Sequence, residues 1–398
     1  MKRILIVTPR YPFPVVGGDR LRIFQIAKAL AREFWVDLLT LTADPRELEI
    51  PPANTDNPFH DIAQVYLPTW RSVLNCLLAL PSQRPLQLAY FWSSDMAREV
   101  ARRAPGYDAV LFHLARGAQY RLAGSHPPAV VEMTDAMSLN YQRIQTTRGV
   151  TGLRALIFAL EQPRIARHER LMLNSFDASV LVSKVDSEYL LRGQLPTADH
   201  PVLVCPNGID LAQYPLHRHR PASLTLAYVG NLESMQNLDA VFWFAREVMP
   251  LLHAHDARFK LKVIGRVRVA DRIRLSRIKG VEVTGEVSSI ADQLSDCLCG
   301  VCPVRIGAGI QNKILEYMAC GLPAIVSSVG LEGLMARPGE DLLLANAPFE
   351  YVNAILGLRS GALPGHELAV AGRRYVEQYH NWQRNLQPLM DRFKALTN

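Results

Sequence analysis

Between Arg305 and Pro323 the sequence reads RIGAGIQNKILEYMACGLP. An arginine precedes two glycines, Gly307 and Gly309. Lys313 and Glu316 follow, on a stretch whose apolar residues keep helical spacing. A guanidinium is a fork suited to phosphate oxygens. The glycines permit tight turns and close approach of a ligand to the backbone. A helix opening after them offers free N–H groups and a partial positive charge. A lysine in its first turn is unfavourable against the helix dipole unless an anion is bound there. At ~1.5 Å rise per residue, Glu316 lies about 10 Å along the helix from Gly309, beyond phosphate contact and on the scale of a sugar hydroxyl. Together these residues describe a diphosphate site with a carboxylate for ribose hydroxyls. The plain alternative is a solvated helix start with an i,i+3 Lys–Glu pair. The stretch is neither a Walker A pattern nor GxGxxG, which disfavours those nucleotide classes.

A second glycine pair lies near the start, in PRYPFPVVGGDRLR. Gly17 and Gly18 precede Asp19, which reads as the N-cap of the next helix. Arg20 and Arg22 stand in the first turn, so this loop is either a second anion cradle or an ordinary glycine-rich connection. Asp135, in MTDAMS, has the spacing to cap the following helix. His113, after YDAVLF, is either a site residue or a structural partner.

Strand-like and helical runs alternate along the chain, the pattern of open parallel sheets. RILIVT, WVDLLTLT, YDAVLF, PAVVEMT and DASVLVS read as strands, with VLVCPNGID after them. Past the basic segment QYPLHRHRPASL the pattern restarts with LTLAYVGN, FKLKVIG, VEVTG, CLCGVCPV and PAIVSS. Two consecutive doubly wound halves follow, and ligands of such sheets bind outside the carboxyl ends of the strands. The opening stretch comes directly after CLCGVCPV, at such an end. The three cysteines of that run read as small hydrophobes in a buried strand, because a metal site would need a fourth ligand nearby.

The chain has 398 residues, 49% hydrophobic and 20% charged, which suits a globular protein of two domains. The apolar run in MKRILIVTP is too short for a signal peptide. No run is long enough to span a bilayer, so the cytoplasm is the expected compartment. The net charge of +7 favours an anionic partner. Nucleic acid is disfavoured, since no aromatic–basic repeat or finger spacing is present.

These pieces together resemble the family-four (glycosyl transferases group 1) glycosyltransferases of GT-B fold. The matching stretches are PxPxxGGDRLR, VSKVDSEYL, CPNGID, YVGNLESMQNLDAVFWFAREVMP, RIGAGIQNKILEYMACGLPAIVSSVGLEGL and the terminal YHNW, in order over nearly the whole chain. The resemblance implies an α/β protein of two Rossmann-like domains facing across a cleft. It implies an acceptor-side domain over residues 1–205 and a nucleotide-sugar domain over 206–378. A C-terminal helix, 379–398, would pack back on the first domain. It implies transfer of a sugar from a nucleoside-diphosphate donor to a hydroxyl acceptor with retention, and no cofactor beyond that donor. No Asp-x-Asp pair of the kind metal-dependent transferases use is present, so no metal ligands are expected. By position, Arg305 and Lys313 would neutralise the leaving diphosphate, with Asp135 as the third catalytic residue. Gly17, Gly18, Gly230, Asn231, Gly307, Gly309 and Glu316 would hold the donor.

The sequence also departs from the family pattern. Ala308 stands where many members have the first of two glutamates. The loop GNLESMQN carries Asn231, Gln236 and Asn237 where many members have an arginine and a lysine. Asp135 takes the place of a histidine that many members have at the end of this strand; a carboxylate there is a candidate to orient a hydroxyl or accept its proton, with Glu132 as runner-up and the helix cap as the plain alternative. These departures keep two other readings open: a sugar-nucleotide epimerase of the same fold, and a non-catalytic nucleotide-sugar-binding protein. Two further segments, RSVLNCLLALPSQRPLQLAYFW and the arginine-rich RIQTTRGVTGLRALIFALEQPRIARHER, are either basic solvated faces over a normal core or surfaces for an anionic bilayer. With them the expected acceptor is a carbohydrate or lipid-linked intermediate, reached at the inner face of the cytoplasmic membrane.

Overall fold

A computed structural model describes residues 1–15, 17–48, 56–122, 124, 127–146, 152–193, 196–217 and 222–398. Residues 147–151 of the arginine-rich segment and 218–221 of the basic connector lie outside the described residues. The chain divides into two compact units, Met1–Pro206 with Leu386–Asn398, and Asn207–Asn385.

The first unit is built on a parallel sheet. Its seven described strands are β1 (Arg3–Thr8), β2 (Trp35–Thr42), β3 (Asp61–Tyr66), β4 (Ala109–His113), β5 (Ala129–Thr134), β6 (Ala178–Leu181) and β7 (Val202–Val204). Their spatial order is β3-β2-β1-β4-β5-β6-β7. Central strands are buried on both faces, which is why β1 reads as the unbroken apolar run ILIV. β3, DIAQVY, was not evident from the sequence. It is an edge strand of mixed polarity and half exposed, so it carries no apolar run. The helix Gln387–Thr397 belongs to this unit. Leu389, Met390 and Phe393 are buried, Phe393 meets Phe34 edge-on, and Arg392 donates to the carbonyl of Asp177 at 2.6 Å.

The second unit holds β8 (Thr225–Val229), β9 (Lys260–Ile264), β10 (Val281–Gly285), β11 (Cys299–Cys302), β12 (Ala324–Val326) and β13 (Leu343–Leu344). They pair in parallel in the order β10-β9-β8-β11-β12-β13. The two-residue β13 is too short to leave a sequence signal. Cys299 and Cys302 lie inside β11 and Cys297 just before it. All three are buried, and burial pushes their thiols up, as fits packing residues.

In each sheet the winding reverses once, between β1 and β4 in the first and between β8 and β11 in the second. The carboxyl ends of the strands at such a reversal splay their loops apart and leave a crevice for ligands.

Candidate functional sites at the two strand reversals

In the second unit, the loops after β8 and β11 meet at the reversal. The helix Asn312–Ala319 sits tight against β11 because Gly300 has no side chain. A Cβ there would lie 2.3 Å from the ring of Tyr317. The Tyr317 hydroxyl then accepts from the Val229 N–H at 2.8 Å and donates to the Val301 carbonyl at 3.3 Å, joining both strands to the helix. Gly321, at φ 67°, ends the helix in the left-handed conformation. The helix begins at Asn312, three residues beyond Gly309, so Gly307 and Gly309 shape a loop ahead of it. Gly309, at φ 69°, needs to be glycine.

Lys313 is the second residue of this helix and is only 6% exposed. Its Nζ donates to Asn237 Oδ1 at 3.0 Å and to Gln311 Oε1 at 3.1 Å, and lies 5.3 Å from the centre of the Tyr228 ring. Both hydrogen-bond partners are neutral amides, and among the described residues no carboxylate stands within ion-pair distance. Asn237 is itself fixed: its Nδ2 donates to the Asn231 carbonyl at 3.0 Å, and its Oδ1 also accepts from the Tyr228 hydroxyl at 2.8 Å. Gly230 leaves room for that amide, since a Cβ would approach it to 3.0 Å. Asn231 shapes the turn, its Oδ1 accepting from the Glu233 N–H at 3.0 Å. The loop that lacks the usual cations is thus the cradle of Lys313.

Arg305 is less free than its sequence suggests. Its Nε and Nη2 grip Asp239 at 3.1 and 2.6 Å, and the guanidinium lies over Trp243. Asp239 offsets much of its charge. The pairing joins residues far apart in sequence and has no local signal.

Glu316, one turn along from Lys313, accepts a hydrogen bond from the Tyr214 hydroxyl on Oε1 at 3.3 Å. Its Oε2 is buried with no partner among the described residues. Burial pushes the carboxyl up to about 7, against the opposing charge of Lys313 and the Tyr214 hydrogen bond. An unsatisfied buried carboxylate oxygen is costly and fits a missing hydroxyl partner.

In the first unit, Gly17 has φ 101° and is the N-cap of the helix Gly18–Leu30, two residues ahead of the expected cap Asp19. Asp19 is inside the first turn and is not the N-cap. Its carboxylate takes Arg10 Nη1 at 3.2 Å. Burial raises Asp19, but Arg10, His113 and Arg116 outweigh it and hold the carboxyl low. A Cβ on Gly17 would meet only Asp19 at 3.5 Å, so the backbone there is open. The arginines beside it form no anion cradle. Arg20 pairs with Glu47 at 3.1 Å. Arg22 is fully buried, with Nε on Glu132 Oε1 at 2.5 Å and Nη1 on the Cys205 carbonyl at 3.0 Å. Glu132 Oε2 also meets His113 Nδ1 at 2.6 Å. Burial opposes its charge, but Arg22 and His113 together hold it well below the usual range. Glu132 and His113 are therefore structural partners.

Asp135 follows β5. It does not cap the helix Met137–Thr146. The Ala136 N–H goes to Asp186 Oδ1 at 3.0 Å, and those of Met137 and Ser138 go to the Glu169 carboxylate at 2.7 and 3.1 Å. Burial pushes Asp135 up to about 7, Asp186 and Glu132 add to the rise, and Arg116 opposes it. Arg116, missed in the sequence, has its Nε buried without a partner among the described residues and its guanidinium over Phe91. An Arg-Gly step directly after a strand was the available signal. Leu114 and Thr134, at the ends of β4 and β5, both adopt positive φ, 61° and 64°. Such strain gathers at functional sites.

The fold and these two crevices define a GT-B protein. Residues 223–360, inside the second unit, match the model of the family glycosyl transferases group 1. The chain is similar over its whole length to sucrose-phosphate synthase from Thermosynechococcus elongatus. That match has a TM-score of 0.74 at 19% identity and covers 100% of this chain and 99% of that one. HepE of Anabaena, solved in complex with UDP-glucose, matches with a TM-score of 0.66 at 13% identity over 99% of this chain and 100% of its own. TarM of S. aureus, solved as a mutant with fondaparinux, alpha-GlcNAc-glycerol and UDP, gives 0.70 at 10% over 99% and 100%. Among sequences, a 44.6 kDa protein of the cps region of Klebsiella pneumoniae is 22% identical over 216 residues. The match spans 52% of this chain and 54% of that relative.

Proposed function

We propose that the chain is a retaining glycosyltransferase. It moves a sugar, of hexosyl type, from a nucleoside-diphosphate donor to a hydroxyl acceptor in cell-surface polysaccharide or glycolipid synthesis. The observation that carries this reading is Lys313, a buried ammonium held by two amide oxygens at the strand reversal. A buried charge without a counter-ion is costly. A bound diphosphate supplies the missing anion. Glu316, with one unpartnered oxygen, is placed one turn along the same helix to accept ribose hydroxyls. The nucleotide complexes of HepE and TarM, and the cps-region setting of the Klebsiella relative, agree in kind with this reading.

In the reaction, the bond between the anomeric carbon and the diphosphate oxygen breaks, and the acceptor oxygen bonds to the same face of the sugar. The acceptor's proton leaves to a diphosphate oxygen or a carboxylate. Lys313 and the backbone N–H groups of the Gly307–Gly309 loop stabilise the charge gathering on the diphosphate, the type of term that usually contributes most. Arg305 supports them with the part of its fork that Asp239 leaves open. Gly230 and Asn231 position Asn237, and through it the ammonium. In the first unit, Asp135 orients the acceptor hydroxyl or takes its proton, and the open backbone at Gly17 and Gly18 admits the donor closely. With charge supplied by side chains, the reaction needs no divalent cation, and activity should persist in a chelator.

Thermal-shift screening of UDP, GDP, ADP and dTDP and their sugars tests the reading. One nucleoside diphosphate should stabilise the chain markedly, by mass action on the native state. Transfer to acceptor lysate should follow. Conversion of the donor with no acceptor present would point to the epimerase instead, and tight binding without turnover to a binding protein.

A further inference from the structure

A helix lying on a domain ordinarily buries its leucines. The helix Thr69–Ala79 does the reverse. Its buried residues are Ser72 and Ala79. Trp70, Val73, Leu74, Leu77 and Leu78, spaced i, i+3, i+4, i+7, i+8, all face solvent. Trp70, Leu77 and Leu78 are 63%, 58% and 70% exposed. The helix Leu153–Leu173 repeats the feature with Leu156, Ile157 and Leu160 exposed. The two are joined at one flank of the first unit. Arg164 Nη2 donates to the Leu80 carbonyl at 3.1 Å, and Glu161 accepts from the Leu86 N–H at 2.6 Å.

Charge says what covers this flank. From Leu67 to Ser94 the sequence has no acidic residue and carries Arg71 and Arg84; Asp95, just beyond, lies 3.9 Å from Arg71, while Arg84 donates to Gln119 and lies over Trp92 with no carboxylate partner among the described residues. Both acidic side chains of the longer helix, Glu161 and Glu169, are buried, while Arg167 reaches solvent. The surface is therefore apolar in its middle and basic at its margins, with a tryptophan among the outward residues. That is the composition of an interfacial helix pair on an anionic bilayer. A second copy would set arginines against arginines, whereas lipid phosphates neutralise them.

We propose that this flank docks on the surface of an anionic lipid bilayer. The leucines enter the boundary between headgroups and chains, and the arginines meet the phosphates. The inference goes beyond the donor reading and fails or survives separately, because nucleotide binding needs no vesicle. The test is flotation of the full chain with phosphatidylcholine vesicles, with and without phosphatidylglycerol, at low and high salt. The chain should float with the anionic vesicles and less so at high salt. Replacing exposed Leu77 and Leu78 together by Asp should cut partitioning at least about tenfold. Thermal unfolding and nucleotide affinity should stay unchanged in that variant. No flotation at low salt would overturn the proposal, as would flotation unaffected by L77D/L78D. So would a dimer that the double variant abolishes without any lipid binding, which would assign the face to a second copy.

Discussion

The two strand reversals share a topology and invert each other's electrostatics. At the first, the buried cation Arg22 is matched by the buried anion Glu132, and Arg20 by Glu47. At the second, the buried cation Lys313 meets only amide oxygens. The first crevice also holds Asp135, its carboxyl pushed up to about 7 against the opposing charge of Arg116, whose Nε has no partner among the described residues. A glycine loop at a strand reversal therefore does not by itself make an anion site. What decides is whether the nearby cations are already answered. By that criterion the second crevice offers an ammonium with no carboxylate at ion-pair distance among the described residues, which is the basis of the proposed diphosphate site, and the first offers a carboxyl pushed up to about 7.

Substitutions that remove each buried cation should separate the two. Arg22→Met strands Glu132 in the interior, and breaking such a pair costs about 3–5 kcal/mol. Denaturant unfolding reads this as a large drop in midpoint. Lys313→Met removes a charge with no carboxylate at ion-pair distance among the described residues, its nearest opposing charge being the partly neutralised Glu316, so the midpoint should change far less. The same variant should lose about 10²–10³-fold in kcat, the usual effect of deleting a group that stabilises developing charge. Equal destabilisation by both changes would erase the contrast.

Asp135→Asn should lower transfer by about 10²-fold, at the modest end for a positioned acid–base group. The pH profile is the sharper readout. With the carboxyl at about 7, activity should rise through that pH in the native enzyme and lose this rise in the variant.

Glu316→Gln has the smallest expected effect, about tenfold in nucleotide affinity, the scale of one hydrogen bond to a charged group. Ribose hydroxyls donate to the ionised form, so binding lowers the raised carboxyl and releases a proton. Affinity should thus strengthen as pH rises through about 7 and be flat in the variant, as calorimetry would show. Stability runs the other way. The folded carboxyl lies above its unfolded value, so the native state holds the proton more tightly. This group costs stability as pH climbs from the ordinary carboxylate range towards 7. The gain in Tm on Glu316→Gln should then be larger at pH 8 than at pH 5.

Much of this was legible in the sequence. The strands that frame both reversals announce themselves as apolar runs because both faces are buried. The run from Arg305 to Glu316 shows its chemistry locally, since turn, helix start and charges are adjacent in the chain. What was hidden is pairing at long range. Nothing near Arg305 predicts Asp239, and nothing near Arg22 predicts Glu132. GNLESMQN looked like a loss of cations, whereas Asn237 is the amide that holds Lys313 in place. Local spacing also allowed Asp135 its plain alternative, a helix cap, and those N–H groups are taken instead by Asp186 and Glu169, distant in sequence.

The central claim is that Lys313 is the counter-charge of a bound diphosphate. Titration calorimetry of the preferred nucleoside diphosphate and of its bare nucleoside, on the native chain and on Lys313→Ala, tests it directly. The native chain should bind the diphosphate far more tightly than the nucleoside, and the variant should lose most of that preference while keeping its weak nucleoside affinity. A preference for the diphosphate that survives unchanged in Lys313→Ala would contradict the account.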